Sequence, residues 1–187
     1  MRPVTTSEIR SALLQMLSAR DGGSPILEEF TCESGRVDVL TTNQMLHGFE
    51  IKSDYDSLAR VSFQITSYSR YCDALTFVAG PRLALKLLAS VPVWCGVILA
   101  HRGAPGISLV ALRTPKNNPR VDAQTSLSLL GTAELRAIAR RESQARPRTK
   151  KDAVRLLASI VPFETIRDEL SESLRRRASA AAGESLG

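Results

Sequence analysis

Gly35-Arg36-Val37-Asp38-Val39-Leu40 and, a short turn later, His47-Gly48-Phe49-Glu50-Ile51-Lys52-Ser53 are the segments on which the reading of this chain turns. Both have the apolar–polar alternation of short strands, and Thr42-Asn43-Gln44 separates them at hairpin length. Val37, Val39, Phe49 and Ile51 share one parity; Asp38, Glu50 and Lys52 take the other. Alternation puts Glu50 and Lys52 on one face, with Asp38 paired across the hairpin. Two carboxylates bind a hard divalent cation through oxygen and leave positions for a phosphate oxygen and a water. Such a cation polarises a phosphodiester and lowers the pKa of water, and a neighbouring lysine stabilises the developing charge. A Glu-x-Lys pair by itself is commonly a surface ion pair. Asp38 on the adjoining strand makes the combination specific.

Outward from these strands, the pattern predicts a helix over Thr6–Ala19, with Thr5 and Glu8 as a capping box and Ile9, Leu13, Met16 and Leu17 as its apolar stripe. Asp21-Gly22-Gly23-Ser24-Pro25 breaks the chain, and a strand over Ile26–Cys32 leads through Ser34-Gly35 to the first quoted segment. A second helix is expected over Ser57–Cys72, capped by Asp54 and Asp56 and carrying Leu58, Val61, Ile65, Tyr68 and Cys72 on one side. Apolar strands over Ala74–Ala79 and Val93–Ala100 flank a helix over Pro81–Ser90 that its proline starts. His47 reads as a turn residue and Trp94 as packing. The order αβββαβαβ, with a crossover helix between buried strands, describes an α/β fold with a mixed central sheet covered by helices.

From His101 to Val121 the sequence is irregular, with one edge strand expected over Ile107–Leu112. A domain boundary follows, giving a core over 1–121 and a basic helical module over 122–177. In that module helices are expected over Leu127–Leu130, Thr132–Arg141, Thr149–Ile160 and Pro162–Arg177, and residues 178–187 are expected to be disordered. The charge is unevenly spread: residues 1–101 hold nine Lys/Arg and ten Asp/Glu, whereas residues 102–187 hold sixteen and nine. A polyanion held by the second part while chemistry occurs in the first fits that asymmetry.

Val37-Asp38 with Glu50-Ile51-Lys52 resembles the signature of the PD-(D/E)XK nuclease superfamily, and the surrounding order is similar to that family's restriction-endonuclease-like αβββαβ core. The resemblance covers residues 6–100 and departs from the pattern at Val37, which stands where the family has proline. It implies metal-dependent phosphodiester hydrolysis, chiefly of DNA, in repair, recombination or defence. Asp38 and Glu50 would bind Mg²⁺ (or Mn²⁺ as substitute), the Ile51 carbonyl would complete the site, and Lys52 would stabilise charge. Gln64-Ile65-Thr66-Ser67-Tyr68 resembles the Q-x-x-x-Y motif of the RecB and Cas4-like branch, implying Gln64 beside the nucleophile and Tyr68 beside the DNA backbone. The family's additional glutamate would be Glu8, Glu28 or Glu29, with Glu8 favoured; strand alternation turns only one of the latter two inward. Arg60, one turn before Gln64, would contact phosphate. The partner implied is duplex or structured DNA, and because many relatives dimerise to cut both strands, a homodimer is a second expected partner. The flow from Glu28-Glu29-Phe30 through Arg36-Val37-Asp38 to Glu50-Ile51-Lys52-Ser53-Asp54 is most similar to small stand-alone bacterial nuclease-like proteins.

Over residues 127–160 the helical module is similar to the SAP-type DNA-binding module. That likeness implies phosphate contacts from Arg148, Lys150 and Lys151, at a helix N-terminus where Thr149 and Asp152 form a capping box.

Other chemistries find no residues to carry them. Cys32, Cys72 and Cys95 are odd in number and lack zinc-ligand spacing, which points to a reducing, cytoplasmic setting. The longest apolar run, Val91–Ala100, is too short for a bilayer, and no signal peptide is expected ahead of the first helix. Neither a Gly-rich phosphate loop nor a Ser/His or Cys/His set is present, so no nucleotide cofactor is expected. The rival expectation is a DNA-binding or assembly adaptor on the same fold that does not cleave by itself.

Overall fold

The computed structural model describes residues 2–20, 26–32, 35–42 and 45–184. The chain break at Asp21–Pro25, the turn residues Ser34, Asn43 and Gln44, and residues 185–187 of the tail lie outside them. The chain divides into two compact units, Met1–Pro119 and Arg120–Gly187. Together they contain a six-stranded mixed sheet and, among the described residues, seven helices. The fold class is mixed α/β. Among these residues no helix is long and apolar enough to cross a membrane.

The first unit is built on the sheet β1(Ile26–Cys32)-β2(Gly35–Thr41)-β3(His47–Lys52)-β4(Ala74–Ala79)-β5(Gly96–Gly103)-β6(Gly106–Arg113), whose spatial order is its sequence order. β1, β2 and β3 form an antiparallel meander, β3, β4 and β5 are parallel, and β6 returns antiparallel to β5. The parallel pairs require crossovers, which α2(Val61–Tyr68) and α3(Pro81–Ser90) supply. On one face α1(Thr6–Arg20) lays Ile9, Leu13 and Leu17 over Val39, Phe49, Ile51, Val78 and Ala100. Each fully buried leucine or isoleucine of that stripe contributes roughly 2 kcal/mol of burial free energy. Leu75 and Phe77, of opposite parity to Val78, are buried on the other face.

α2 is shorter than its apolar spacing predicts, because neither expected cap serves it. The Asp54 carboxylate accepts from the Val4 amide at 2.8 Å and from Arg82 at the start of α3 at 2.9 Å. Asp56 closes a turn on Ser53. Residues 53–60 are therefore a braced connection, and α2 starts at Val61 after Arg60, which forms no side-chain cap. Gly80 permits this bracing, since a Cβ there would collide with the Asp54 carboxylate. β5 starts three residues later than expected, after the turn in which Cys95 bonds Pro92, and runs on to Gly103. Most of the stretch read as irregular, residues 101–113, is thus part of the β5–β6 hairpin, turning through Ala104-Pro105. His47 is a strand residue rather than a turn residue: its ring stacks on Phe49 and bonds the Thr76 hydroxyl at 2.8 Å. Trp94 is buried, as packing requires.

The second unit is helical: α4(Ala123–Ser128), α5(Thr132–Ser143), α6(Lys150–Ile160) and α7(Phe163–Glu184). Leu127, Leu130, Leu135, Leu157, Leu170 and Leu174 form its buried centre. α7 continues past Arg177 to Glu184, where disorder was expected, because alanine is the strongest helix former and residues 178–182 are alanines around a single serine.

Candidate active site

The site forms where β2 and β3 part. Their ladder pairs Thr41 with His47, Leu40 with Gly48 and Val39 with Phe49, and ends there. Continued by one residue it would set Asp38 opposite Glu50. Instead the Asp38 carboxylate reaches across, and its Oδ2 accepts the Ile51 amide at 2.8 Å. Strict alternation fails at this point. Val39 packs under α1, while Val37 lies beside Gly48, Cys72 and Leu75 on the opposite side. On the neighbouring strand Glu29, which faces Asp38 in the register, has left the ladder with φ 51°. The Lys52 carbonyl bonds the Gly80 amide on the β4 side, so the backbone of Ile51, one residue earlier, faces the opened β2 side.

Glu50 and Lys52 stay on one face, as alternation requires, at the carboxyl end of β3. Lys52 Nζ donates to Glu50 Oε1 at 2.9 Å, and the Gln64 amide donates to the same oxygen from the first turns of α2. Glu50 and Lys52 are only 4% and 7% exposed, so this is a desolvated cluster rather than a surface ion pair. Glu50 Oε2 and Gln64 Oε1 are buried without a hydrogen-bond partner. Burial, and then the charge of Asp38, push the Glu50 carboxyl up from 4.5 to about 7. Burial raises Asp38 as well, against the Ile51 amide and the Arg10 charge, which pull it down. Two carboxylates that resist ionising together, one with an unused oxygen, fit a cation lodged between them.

Sequence reading missed Arg10. Its guanidinium donates to the Asp38 carbonyl at 3.1 Å and to Oδ1 at 3.4 Å, and it pairs with Glu29 at 2.5 Å and Glu28 at 3.4 Å. Arg36 pairs with the other Glu29 oxygen at 2.6 Å. Both glutamates of β1 therefore reach one arginine, contrary to the alternation expected of them, because the turn at Glu29 re-aims its side chain. The signal available in sequence was a cation next to Ile9 of the α1 stripe, facing two consecutive acids on β1.

Glu8 is not in this group. Its carboxylate accepts from the Thr5 amide and hydroxyl at 3.0 and 2.8 Å and from Arg102 at 2.9 Å. The Thr5 amide, the Thr5 hydroxyl and Arg102 together lower it to about 2. It serves the capping box of α1 and an ion pair with β5, in place of the catalytic role expected for it. Tyr68 is likewise unsuited to a DNA backbone. It is 2% exposed, and its hydroxyl donates to the Arg36 carbonyl at 2.7 Å, fastening α2 to the start of β2. Arg60 is solvent-exposed at the N-cap of α2.

In the second unit Thr149 and Asp152 form the expected capping box, and Lys150 and Lys151 stand exposed on the first turn of α6. The Arg148 carbonyl accepts from Arg136 at 3.2 Å. Arg136, Arg140 and Arg146 line a cavity of about 690 Å³ with Ala133, Ala145 and Pro147 and no acidic residue. Three acids elsewhere in the unit are engaged by other arginines: Glu134 with Arg176 and Arg177, Glu169 and Glu142 with Arg141. Cations are gathered around the α5–α6 connection: Arg136, Arg140 and Arg146 line the cavity, and Arg148, Lys150 and Lys151 follow it in sequence.

Among the described residues, no three His, Cys, Asp or Glu side chains converge as a metal-ligand set. The donors available are the Asp38 and Glu50 carboxylates and the Ile51 carbonyl, all oxygen, which suits Mg²⁺ or Mn²⁺ and not zinc. The model for the family described as bacteriophage P4 protein cII matches residues 4–182. Protein cII of Enterobacteria phage P4 is 23% identical over 184 residues, covering 96% of this chain and 70% of that protein. No solved structure matches.

Proposed function

The chain belongs to the bacteriophage P4 protein cII family, and we propose that it is a Mg²⁺- or Mn²⁺-dependent phosphodiesterase acting on DNA, built on a restriction-endonuclease-like core. The observation that carries this reading is the buried Asp38–Glu50–Lys52–Gln64 group, with a free Glu50 oxygen and the Ile51 backbone facing the gap between β2 and β3. A structural ion pair needs no unused buried carboxylate oxygen, which costs on the order of 1–3 kcal/mol or more.

When bound, the cation supplies Lewis acidity toward the phosphodiester and a lowered pKa for the attacking water. Asp38, Glu50 and the Ile51 carbonyl are the groups that would hold it. Arg10 and the Ile51 amide orient Asp38, so that its carboxylate is preset. Lys52, fixed by Glu50, offers its remaining protons to the charge that builds on the phosphate oxygens. Gln64 Oε1, buried without a partner, would accept from the nucleophile. The basic connection of the second unit, with Arg148, Lys150 and Lys151 beside the arginine cavity, would hold phosphates without reading bases.

Manganese titration followed by electron paramagnetic resonance tests the cation half of this reading. One Mn²⁺ per chain is expected in the wild type, weakened by about tenfold or more in Asp38→Asn. Equal affinity in the two proteins removes Asp38 from the ligand set and, with it, the reading.

A further inference from the structure

The aromatic side chains of the first unit are nearly all in the core. Phe49, Tyr68, Tyr71, Phe77 and Trp94 are buried, and Phe30 is half-buried. The two that are exposed are Tyr55 and Phe63, at 69% and 57%. Both lie on the short segment that links Lys52 to Gln64, the two residues that donate to Glu50 Oε1.

This segment is not a slack loop. Ser53 is tied to Asp56 by its amide at 2.7 Å and its hydroxyl at 2.6 Å. Between them Asp54 holds both Val4 and the start of α3. The Val61 amide bonds the Leu58 carbonyl at 3.0 Å and the Gln64 amide bonds Arg60 at 2.9 Å. The backbone that carries these exposed rings has little conformational entropy left to lose on binding, which favours a preformed contact surface.

The surroundings favour a nucleic-acid strand over a protein partner. Arg60 precedes Phe63 by three residues and is also exposed, which sets a cation and a ring side by side at the start of α2. Ser57, Ser62 and Thr66 are polar and exposed around them. Two isolated rings in a polar field do not make the continuous apolar patch of a protein docking site. They do match the pairing of base-stacking rings with backbone-tracking cations found where single strands are held. The acids of this segment are both engaged, Asp54 by Val4 and Arg82 and Asp56 by Ser53.

We propose that Tyr55 and Phe63 form a stacking platform for unpaired bases next to the scissile phosphate, which makes the substrate a single-stranded or locally splayed DNA. This rests on the phosphodiesterase reading for its location but is measured without cleavage. The probe is a fluorescently labelled thymidine oligonucleotide, set against an abasic strand of the same length and a blunt duplex. Binding is followed by anisotropy in EDTA for the wild type, Tyr55→Ala, Phe63→Ala and Arg60→Ala. Each ring-to-alanine change is expected to weaken binding of the base-bearing strand about 5- to 100-fold, and to leave the abasic strand and the duplex within about twofold. Arg60→Ala is expected to weaken all three. Melting temperatures should match the wild type, since both rings are in solvent, and Tyr55→Phe should retain affinity. Unchanged affinity in the ring variants, or equal losses on the abasic strand, overturns the proposal and leaves the rings to a protein partner. Failure of the phosphodiesterase reading would appear separately, as absence of metal-dependent cleavage.

Discussion

Glu50→Gln is expected to lower metal-dependent cleavage by at least about 10²-fold, and in EDTA to flatten the fall of stability as pH rises through neutrality. The two effects have one cause. Glu50 is buried beside Asp38, and its carboxyl is pushed up from 4.5 to about 7. A carboxyl raised in the folded state favours folding while it stays protonated. That contribution is complete below the unfolded value and is lost as pH rises through about 7. From about pH 6 to about pH 8.5 the wild type should therefore lose about 1–2 kcal/mol that Glu50→Gln does not lose. His47 slopes the other way: burial and Arg20 lower it from 6.5 to about 4, so its contribution grows as pH rises toward 6.5 and is flat above. Comparing the two proteins cancels it. The slope, not the absolute stability, is the readout, because glutamine also leaves Lys52 without its carboxylate. Urea denaturation across that range checks this. Added Mn²⁺ should flatten the wild-type slope too, since the ionised pair binds it. A slope equal in the two proteins would mean that Glu50 is ionised at neutral pH without help.

Lys52→Ala is expected to reduce the cleavage rate by about 10²- to 10³-fold while leaving Mn²⁺ affinity at about pH 8.5 within a few-fold of wild type. Lysine donates and cannot ligate a cation, so its loss should appear in the chemical step and not in metal occupancy. The alkaline condition matters. Without the Lys52 charge the Glu50 carboxyl rises further, and near neutrality the variant would bind metal poorly for that indirect reason. Single-turnover cleavage paired with the manganese titration separates the two effects. Parallel losses of affinity and rate would make Lys52 a structural counter-ion of Glu50 and nothing more.

Glu50, Lys52 and Gln64 were legible in sequence because each obeys a simple period: two residues along β3 for the first pair, and the inward side of α2 for the third. Asp38 was legible by type but not by geometry. Its carboxylate reaches the Ile51 amide because β2 leaves β3 after Val39, and that departure goes with a glutamate at φ 51°, a conformation no residue pattern announces. Arg10 was hidden for the same reason, since its partners Glu28 and Glu29 converge only once alternation is broken. Glu8 and Tyr68 show the opposite failure. Each sits at a position the resemblance assigns to chemistry, and each is consumed by a local bond, to Thr5 and Arg102 or to the Arg36 carbonyl. Asp54 and Asp56 look like helix caps in sequence, but they brace the chain terminus, α3 and a turn, which long-range contacts decide. The β5–β6 hairpin was obscured because Gly103-Ala104-Pro105-Gly106 reads as the start of a loop rather than as a two-residue turn.

The central claim, that Asp38, Glu50 and Lys52 form a cation-dependent phosphodiesterase centre, is tested most directly by incubating the chain with linear, circular, single-stranded and branched DNA. Mg²⁺, Mn²⁺ or EDTA is present, and Asp38→Ala and Lys52→Ala are run alongside the wild type. The account predicts cleavage by the wild type with either metal, none in EDTA, and a rate at least about 10²-fold lower for either variant on the same substrate. Wild-type protein that cuts nothing in the presence of metal, or variants that cut as well as the wild type, would contradict it.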